Sequence, residues 1–270
     1  MCIQIKKLIQ SSILSDTSIK LPESLIYDSG NVQALAEELI RIRNGGKFRD
    51  SCRDVDEWKL MRELIERHDH FETHNVDLIR ENREVVVLTG ATGMLGSHIL
   101  SELCHNNRFG KMHCLLRGES EPICRELLTR ALRKRKLSGL YEPGNAEALE
   151  EKTVCLLCQL SELHLGLSDD EWISIVAEST IYIHTAWSVN FSLPLNSVEF
   201  ENHIRGAHDV ITAALSSKAR FFFISSTAAV SANPSATITE EVSLDPSHAS
   251  PLGYSRSKWV AERVSAGFTE

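Results

Sequence analysis

Tyr254 and Lys258 form a Y-x-x-x-K pattern near the end of the chain. Residues four apart lie on the same face of a helix, so these two side chains can act together. A lysine ammonium beside a phenol stabilises the phenolate and lowers the pKa of the phenol from about 10 toward neutrality. The spacing therefore predicts a tyrosine that donates a proton near neutral pH, with a lysine that tunes it and can hold a ribose.

Thr227 is the third residue that we expect to take part in catalysis. It follows the apolar run FFFIS (221–225) and precedes Tyr254 by 27 residues. The carboxyl ends of parallel strands face the ligand crevice of an open α/β sheet. We therefore expect the Thr227 hydroxyl to bind a substrate carbonyl oxygen, although Ser225 and Ser226 offer the same group.

A glycine-rich turn, TGATGMLG, follows the apolar run VVVLT (85–89). Gly90 permits a tight turn, Gly93 lets the backbone approach a pyrophosphate, and Gly96 lets a helix pack on a strand. The N–H groups that open the following helix then point at the phosphates. The predicted dinucleotide site includes these glycines and three more residues of the turn, Thr92, Met94 and Leu95.

Arg117 ends the second apolar run, at the place where NAD enzymes usually carry an acidic residue for the ribose 2′-hydroxyl. A guanidinium instead matches a 2′-phosphate with two parallel hydrogen bonds, so the predicted cofactor is NADPH. Arg125 is either a second phosphate contact or an ordinary exposed arginine. Ala186, in HTAWSVNF, is also predicted to contact the cofactor. Trp187 and Phe191 of that motif either line the active cleft or belong to the core.

Strand-like runs alternate with helical patterns after residue 84. The runs are residues 85–89, 112–116, 154–157, 181–184 and 221–225, and the helical patterns are residues 95–104, 121–136, 169–178, 197–216 and 254–266. This alternation predicts right-handed βαβ units in an α/β fold, a doubly wound parallel sheet of the Rossmann type. Residues 1–44 read as helical, and residues 45–83 as a polar linker with one helix.

The composition excludes several classes of protein. A net charge of −8 argues against nucleic-acid binding, and no apolar run reaches the roughly 20 residues of a membrane span. Seven scattered cysteines and no signal peptide favour a reducing, cytoplasmic compartment. We expect no metal at Cys155-x-x-Cys158, and we expect His68, His70 and His74 to be solvated.

These motifs together resemble the thioester reductase domain of the extended short-chain dehydrogenase/reductase superfamily. The similarity rests on LTGATGMLGSHIL, CLLRG, HTAWSVNF, FFFISSTAAV and GYSRSKWVAERV, and covers residues 84–270. Such domains end carboxylic acid reductases, α-aminoadipate reductases and fungal nonribosomal-peptide-synthetase-like enzymes. The resemblance implies NADPH-dependent reduction of a carrier-bound acyl thioester to an aldehyde, with further reduction to an alcohol left open. Where the family has G-D-L, with its Asp on the adenine, this chain has Cys158-Gln159-Leu160. The Gln159 amide can still hydrogen-bond the adenine, so Gln159 and Leu160 are counted among the cofactor residues.

The first 44 residues resemble the last helices of a phosphopantetheine carrier domain. The family's D-S-L serine, which carries the phosphopantetheine, would lie just before Met1, and an adenylation domain is expected in the full-length enzyme. We also expect a substrate-binding lobe that this chain lacks, so that residues 84–270 form a C-terminally truncated reductase domain.

Three alternatives stay open. The first is another extended short-chain enzyme, such as a sugar-nucleotide epimerase or a fatty acyl-CoA reductase, against which the carrier-like N-terminus counts. The second is a nucleotide-binding regulatory module without turnover. The third is an inactive NADP-binding fragment.

Overall fold

A five-stranded parallel sheet forms the centre of the fold in the computed structural model, which describes residues 9, 21, 25, 32–44, 50–137 and 151–267. The strands are β1 (Glu84–Thr89), β2 (Phe109–Leu116), β3 (Thr153–Leu157), β4 (Ile181–His184) and β5 (Arg220–Phe223). Their order is β3-β2-β1-β4-β5, and every neighbouring pair is parallel. The predicted α/β Rossmann-type sheet is confirmed, and its strand order reverses between β1 and β4.

Seven α-helices lie in the described ranges. They are α1 (Val32–Arg43), α2 (Asp50–His68), α3 (Met94–His105), α4 (Glu121–Lys134), α5 (Asp169–Glu178), α6 (Val198–Ser216) and α7 (Gly253–Ala266). None of them is long and apolar enough to cross a membrane. Short helical turns lie at Leu163–Gly166, Thr227–Ala229 and Pro246–His248.

The chain divides into two compact units. The sheet unit contains Ile65–Ser188, Glu201–Ser225 and Ala261–Glu270. The tyrosine unit, named for Tyr254, contains Met1–Leu64, Val189–Phe200 and Ser226–Val260.

Helices cover both faces of the sheet. Because successive side chains of a strand point to opposite faces, Val86 and Leu88 of β1 pack in one apolar cluster while Val87 packs in the other. Leu100 of α3 belongs to the first cluster and Val176 of α5 to the second. This two-sided burial explains why β1 reads as a continuous apolar run in the sequence.

The extended segment between α2 and β1 packs within the sheet unit, against α5 and α6. The Ile79 N–H donates to the Ala177 carbonyl at 2.8 Å, and the His74 N–H donates to Ser216 Oγ at 2.8 Å. The Arg80 guanidinium donates to the carbonyls of Ala177, Ser179 and Ser217. These contacts hold the segment against the ends of α5 and α6.

The prediction that His68 is solvated is wrong. His68 is 9% exposed at the end of α2, with its ring 5.6 Å from that of His208 on α6. Burial, reinforced by the charges of His208 and Arg67, lowers the pKa of His68 to about 4. His70 and His74 are exposed, as predicted. A neutral imidazole is a flat ring that packs well, so a polar helix end can be buried.

Candidate active site

The turn from β1 into α3 needs glycine at its first position. Gly90 has φ +73°, a conformation that a side chain strains. A Cβ there would lie 2.5 Å from Thr185 Oγ1 and 2.8 Å from the Ala186 nitrogen. The turn therefore packs directly on the backbone that follows β4.

Gly96 and Gly93 differ in what surrounds them. A Cβ at Gly96 would lie 2.2 Å from the Gly90 carbonyl oxygen, so α3 approaches the turn too closely for any side chain. A Cβ at Gly93 would meet the same oxygen at 3.1 Å, and Gly93 is exposed. The fold thus requires glycine at positions 90 and 96, whereas the space beside Gly93 is open to solvent.

The N-terminus of α3 is open. Gly93 is its N-cap and makes no side-chain cap hydrogen bond, while Met94 and Leu95 are exposed and Thr92 is half-buried. The first N–H groups of an α-helix have no acceptor within the helix, and its dipole favours an anion there. The predicted turn residues therefore fit the pyrophosphate of a dinucleotide.

Thr89, which the sequence analysis did not identify, joins β1 to β4 at the point where the strand order reverses. Its Oγ1 accepts hydrogen bonds from the N–H groups of Thr185 and Ala186, both at 3.2 Å. Its hydroxyl hydrogen is then left for His184 Nδ1 at 2.9 Å. The Ala186 N–H is therefore engaged by protein, so a cofactor contact by Ala186 would come from its methyl group or carbonyl.

The two arginines predicted to bind the 2′-phosphate have different surroundings. Arg117 is exposed directly after β2, and none of the described carboxylates pairs with it. Arg125 donates to Glu121 at 2.8 Å on the exposed surface of α4. The geometry favours Arg117 as the available cation.

Gln159 and Leu160 follow β3. The Gln159 amide is exposed and donates to Ser161 Oγ at 3.2 Å and to Glu162 Oε1 at 3.4 Å. Leu160 is buried against Gly206 of α6, where a Cβ would lie 2.7 Å from the leucine Cδ2. The buried Cys155 and Cys158 flank this end of β3 as free thiols, and burial raises the pKa of Cys158 to about 12.

Thr227 opens a short helical turn, and its side chain is exposed. The neighbouring hydroxyls are engaged, because Ser225 donates to the Glu262 carboxylate and Ser226 Oγ accepts from the Ala228 N–H at 3.2 Å. Of the three hydroxyls that the sequence offered, Thr227 is therefore the one presented outward.

Tyr254 and Lys258 lie on the first two turns of α7, with 9% and 3% of their surfaces exposed. The Phe191 ring meets the Tyr254 ring edge to face, with centroids 5.0 Å apart and planes at 86°. Phe191 is thus a neighbour of the candidate acid. Trp187 instead stacks on His203 in the sheet unit at 5.2 Å.

Gly253, which sequence reasoning missed, lets the start of α7 lie against the chain at residues 193–195. A Cβ there would lie 2.3 Å from the Leu193 carbonyl oxygen and 2.6 Å from the Leu195 nitrogen. The Ser250 N–H donates to the Ala228 carbonyl at 3.1 Å, which ties the Thr227 turn to the residues before α7. The glycine before the tyrosine was the available signal for this close approach.

An NAD-binding family described as "Male sterility protein" matches residues 88–267. The chain belongs to this family. The adenylate-forming reductase Nps9 of Serpula lacrymans is 28% identical over 268 residues, 91% of this chain and 24% of the relative. A carboxylic acid reductase of Neurospora crassa is 27% identical over 256 residues, 90% of this chain and 22% of the relative. The chain spans about a quarter of the length of these relatives.

Solved reductase domains share the fold of this family member. The terminal R domain of the myxalamid PKS-NRPS pathway has a TM-score of 0.64 and 25% identity, over 76% of this chain and 52% of that domain. The reductase domain of a nonribosomal peptide synthetase from Mycobacterium tuberculosis has a TM-score of 0.53 and 25% identity, over 74% and 47%. The resemblance to the thioester reductase domain of nonribosomal-peptide-synthetase-like enzymes is confirmed.

A nicotinamide cofactor accords with membership of this NAD-binding family. The turn fits it, since Gly93 has no side chain and Met94 and Leu95, which begin α3, are exposed. The candidate cofactor residues between Gly90 and Ala186 belong to the sheet unit. Thr227, Tyr254 and Lys258 belong to the tyrosine unit, and the last two are also predicted to contact the cofactor.

Proposed function

We propose that this chain is an NADPH-dependent reductase that converts an acyl thioester, presented by a carrier domain, to an aldehyde and a free thiol. The observation that carries the proposal is the buried Tyr254–Lys258 pair on α7, with the exposed Thr227 turn tied to the residues before that helix. The reductase names of the relatives and the match to solved reductase domains support it.

The proposed chemistry assigns one role to each catalytic side chain. NADPH held by the Gly90–Gly96 turn and Arg117 would supply the hydride that the thioester carbonyl carbon receives. Thr227 and Tyr254 donate hydrogen bonds to the carbonyl oxygen as negative charge develops on it. Tyr254 then gives its proton to that oxygen, and the Lys258 ammonium stabilises the phenolate. The carbon–sulfur bond breaks as the aldehyde forms, so thioester, NADPH and a proton give aldehyde, thiol and NADP⁺.

The choice of NADPH over NADH rests on Arg117. Its guanidinium is exposed directly after β2, where it can receive a 2′-phosphate without first breaking an ion pair to a described carboxylate. Arg125 would have to leave Glu121 to make a second contact. Gln159 and Leu160 are the residues proposed beside the adenine.

The proposed partner is a carrier domain with a phosphopantetheine arm, loaded by an adenylation domain of a longer protein. Residues 1–44 resemble the end of such a carrier, residues 45–83 form the proposed linker, and residues 84–270 form the reductase. The name "adenylate-forming reductase" of several relatives supports the partnership with an adenylation domain.

The test measures the rate of NADPH oxidation with one acyl group presented in two ways, as a thioester of a phosphopantetheine-loaded carrier and as a thioester of coenzyme A. Tyr254→Phe should lower the rate by ~10²–10⁴-fold, because general acid catalysis contributes about that much. NADPH binding should persist, since the phenol acts on the substrate. Thr227→Val should lower the rate, and Thr227→Ser, which keeps the hydroxyl, should restore it.

Three results would count against the proposal. A Tyr254→Phe rate within about tenfold of wild type would refute the acid role. Equal rates with coenzyme A and carrier thioesters would refute the carrier as the specific partner. No NADPH oxidation by the wild-type chain with either thioester would contradict the reductase function. Product analysis by mass spectrometry decides between aldehyde and alcohol.

A further inference from the structure

Arg256 lies between the two catalytic candidates on α7, and its side chain is only 5% exposed. Its guanidinium forms an ion pair with the carboxylate of Glu57 on α2, whose side chain is 29% exposed. Both residues belong to the tyrosine unit. The pair joins a helix of the proposed linker to the helix that carries Tyr254 and Lys258.

A buried guanidinium restricts what can surround it. Arginine stays protonated at every physiological pH, so burial cannot be relieved by loss of the charge. A buried charge is tolerated when it is paired, so loss of the Glu57 carboxylate would remove charge compensation from Arg256. The position of Arg256, and of the helix turn that bears it, is therefore coupled to Glu57.

Glu57 belongs to the buried face of α2. Residues 57, 61 and 64 have the i, i+4, i+7 spacing of one helix face, and Met61 and Leu64 are 0% and 3% exposed. Lys59 and Glu63, which pair with each other at 3.5 Å, are exposed. The burial of Met61 and Leu64 thus marks the packed face of α2, and Glu57 is the charged member of that face.

Arg256 projects from α7 away from the catalytic side chains. An α-helix turns by about 100° per residue, so a residue two positions away points about 200° around the axis. Tyr254 and Lys258 both stand two positions from Arg256. The ion pair therefore holds the back of the helix segment whose front carries the phenol and the ammonium.

We propose that Glu57 is a positioning residue of the reductase, which fixes the first turns of α7 through Arg256 and so aligns Tyr254 and Lys258. The inference rests on the proposed function for the roles of these two side chains. It assigns α2 to the catalytic machinery, although in the sequence α2 lies in the proposed connection between carrier and reductase. A misplacement of about 1 Å can cost about 10²-fold in rate, so a loosened anchor should act on catalysis.

The experiment compares Glu57→Gln with wild type and with Glu63→Gln, a matched change on the exposed face of α2. Glu57→Gln should lower kcat roughly 10- to 100-fold at a temperature where the protein is fully folded. KM for the thioester and the dissociation constant of NADPH should change much less than kcat, because the glycine turn belongs to the other unit. The exchanged pair, Glu57→Arg with Arg256→Glu, should recover part of the lost kcat.

Hydrogen exchange of the α7 amides gives a readout that does not need turnover. These amides should exchange faster in Glu57→Gln than in wild type or Glu63→Gln, with the other helices unchanged. If Glu57→Gln does not fold, Arg256→Lys, which keeps the charge but loses the fork geometry, takes its place in both measurements.

Two results separate the positioning role from the proposed function. Wild-type kcat together with wild-type exchange of α7 in Glu57→Gln would overturn the positioning role. If the wild-type chain reduces no thioester, the proposed function fails, and the exchange of α7 alone then decides whether Glu57 anchors the helix.

Discussion

Replacement of Gly96 by alanine tests the packing of the turn that we propose to bind the nucleotide. The new Cβ would lie 2.2 Å from the Gly90 carbonyl oxygen, 2.7 Å from the Gly90 carbonyl carbon and 3.0 Å from the Ala91 Cα. All three are backbone atoms, so no side chain can swing aside. Gly90 has little room to retreat, because even a Cβ on it would lie 2.5 Å from Thr185 Oγ1 and 2.8 Å from the Ala186 nitrogen. The strain must therefore move α3 away from the turn.

The magnitude follows from two opposing effects. Alanine favours a helix over glycine by about 1 kcal/mol. Overpacking against a fixed neighbour costs about 1–3 kcal/mol or somewhat more, and a carbon–oxygen distance of 2.2 Å lies at the severe end. We expect Gly96→Ala to lose about 1–2 kcal/mol of unfolding free energy, or roughly 2–8 °C in Tm. A shift of α3 beyond about 0.5 Å should also weaken cofactor binding by about tenfold or more.

Gly93→Ala is the matched control, since it adds the same methyl group three residues earlier. Its Cβ meets one described atom, the Gly90 oxygen, at 3.1 Å and otherwise faces outward. We expect a Tm close to wild type but a large loss of NADPH affinity, because the methyl group would stand where the pyrophosphate approaches.

Thermal unfolding by circular dichroism and NADPH titration by fluorescence separate the two variants. Wild-type Tm and affinity in Gly96→Ala would refute the close packing of α3 on the turn. Wild-type affinity in Gly93→Ala would refute the placement of the pyrophosphate at the start of α3.

Three further predictions concern substitutions of single residues. Arg117→Ala should weaken NADPH by about 1.5–3 kcal/mol and leave NADH unchanged in fluorescence titrations, and equal wild-type affinities for the two cofactors would contradict this. Because the pKa of His68 is about 4 when folded and 6.5 in its ordinary state, the unfolded chain protonates first. The free energy of unfolding should therefore fall by up to about 3 kcal/mol as the pH drops from 6.5 to 4. His68→Gln should remove this pH-dependent loss, as measured by urea denaturation at several pH values. The same pH dependence in His68→Gln as in wild type would argue against the role of His68. Gly253→Ala, whose Cβ would lie 2.3 Å from the Leu193 oxygen, should lower kcat with little change in NADPH affinity, and a wild-type kcat would speak against this contact.

The sheet was predictable because buried parallel strands are continuous apolar runs, and each of the five runs lies in or overlaps a strand. The strand ends were less predictable. β2 begins at Phe109 rather than at residue 112, because the half-buried Phe109 and Lys111 already pair with Glu84 and Val85 of β1. β5 ends at Phe223 rather than at residue 225, and the Ser225 hydroxyl donates to the Glu262 carboxylate. Apolarity reports burial, whereas strand limits follow the hydrogen bonds of the backbone.

The glycine turn was predictable from the spacing of its glycines, because Gly90 and Gly96 meet requirements of the local backbone. The partners that complete the site come from distant parts of the chain. Thr89 organises the backbone at Thr185 and Ala186, and nothing in a strand ending in threonine indicates this contact. The same holds for Glu57, which lies 199 residues before Arg256 in a segment that reads as a polar linker.

Helix α7 breaks the ordinary relation between polarity and exposure, and this departure itself carries functional information. Residues 255–258 are all polar, yet none is more than 4% exposed. Burial of polar and charged groups costs free energy unless each finds partners, so a sequence selected for stability alone would place apolar side chains here. Glu57 provides Arg256 with a partner from another helix, at the expense of tying α2 to α7. Locally unfavourable choices of this kind concentrate at functional sites. The burial of Lys258 one turn after Tyr254 is therefore better explained by the chemistry proposed for the pair than by the packing of the helix.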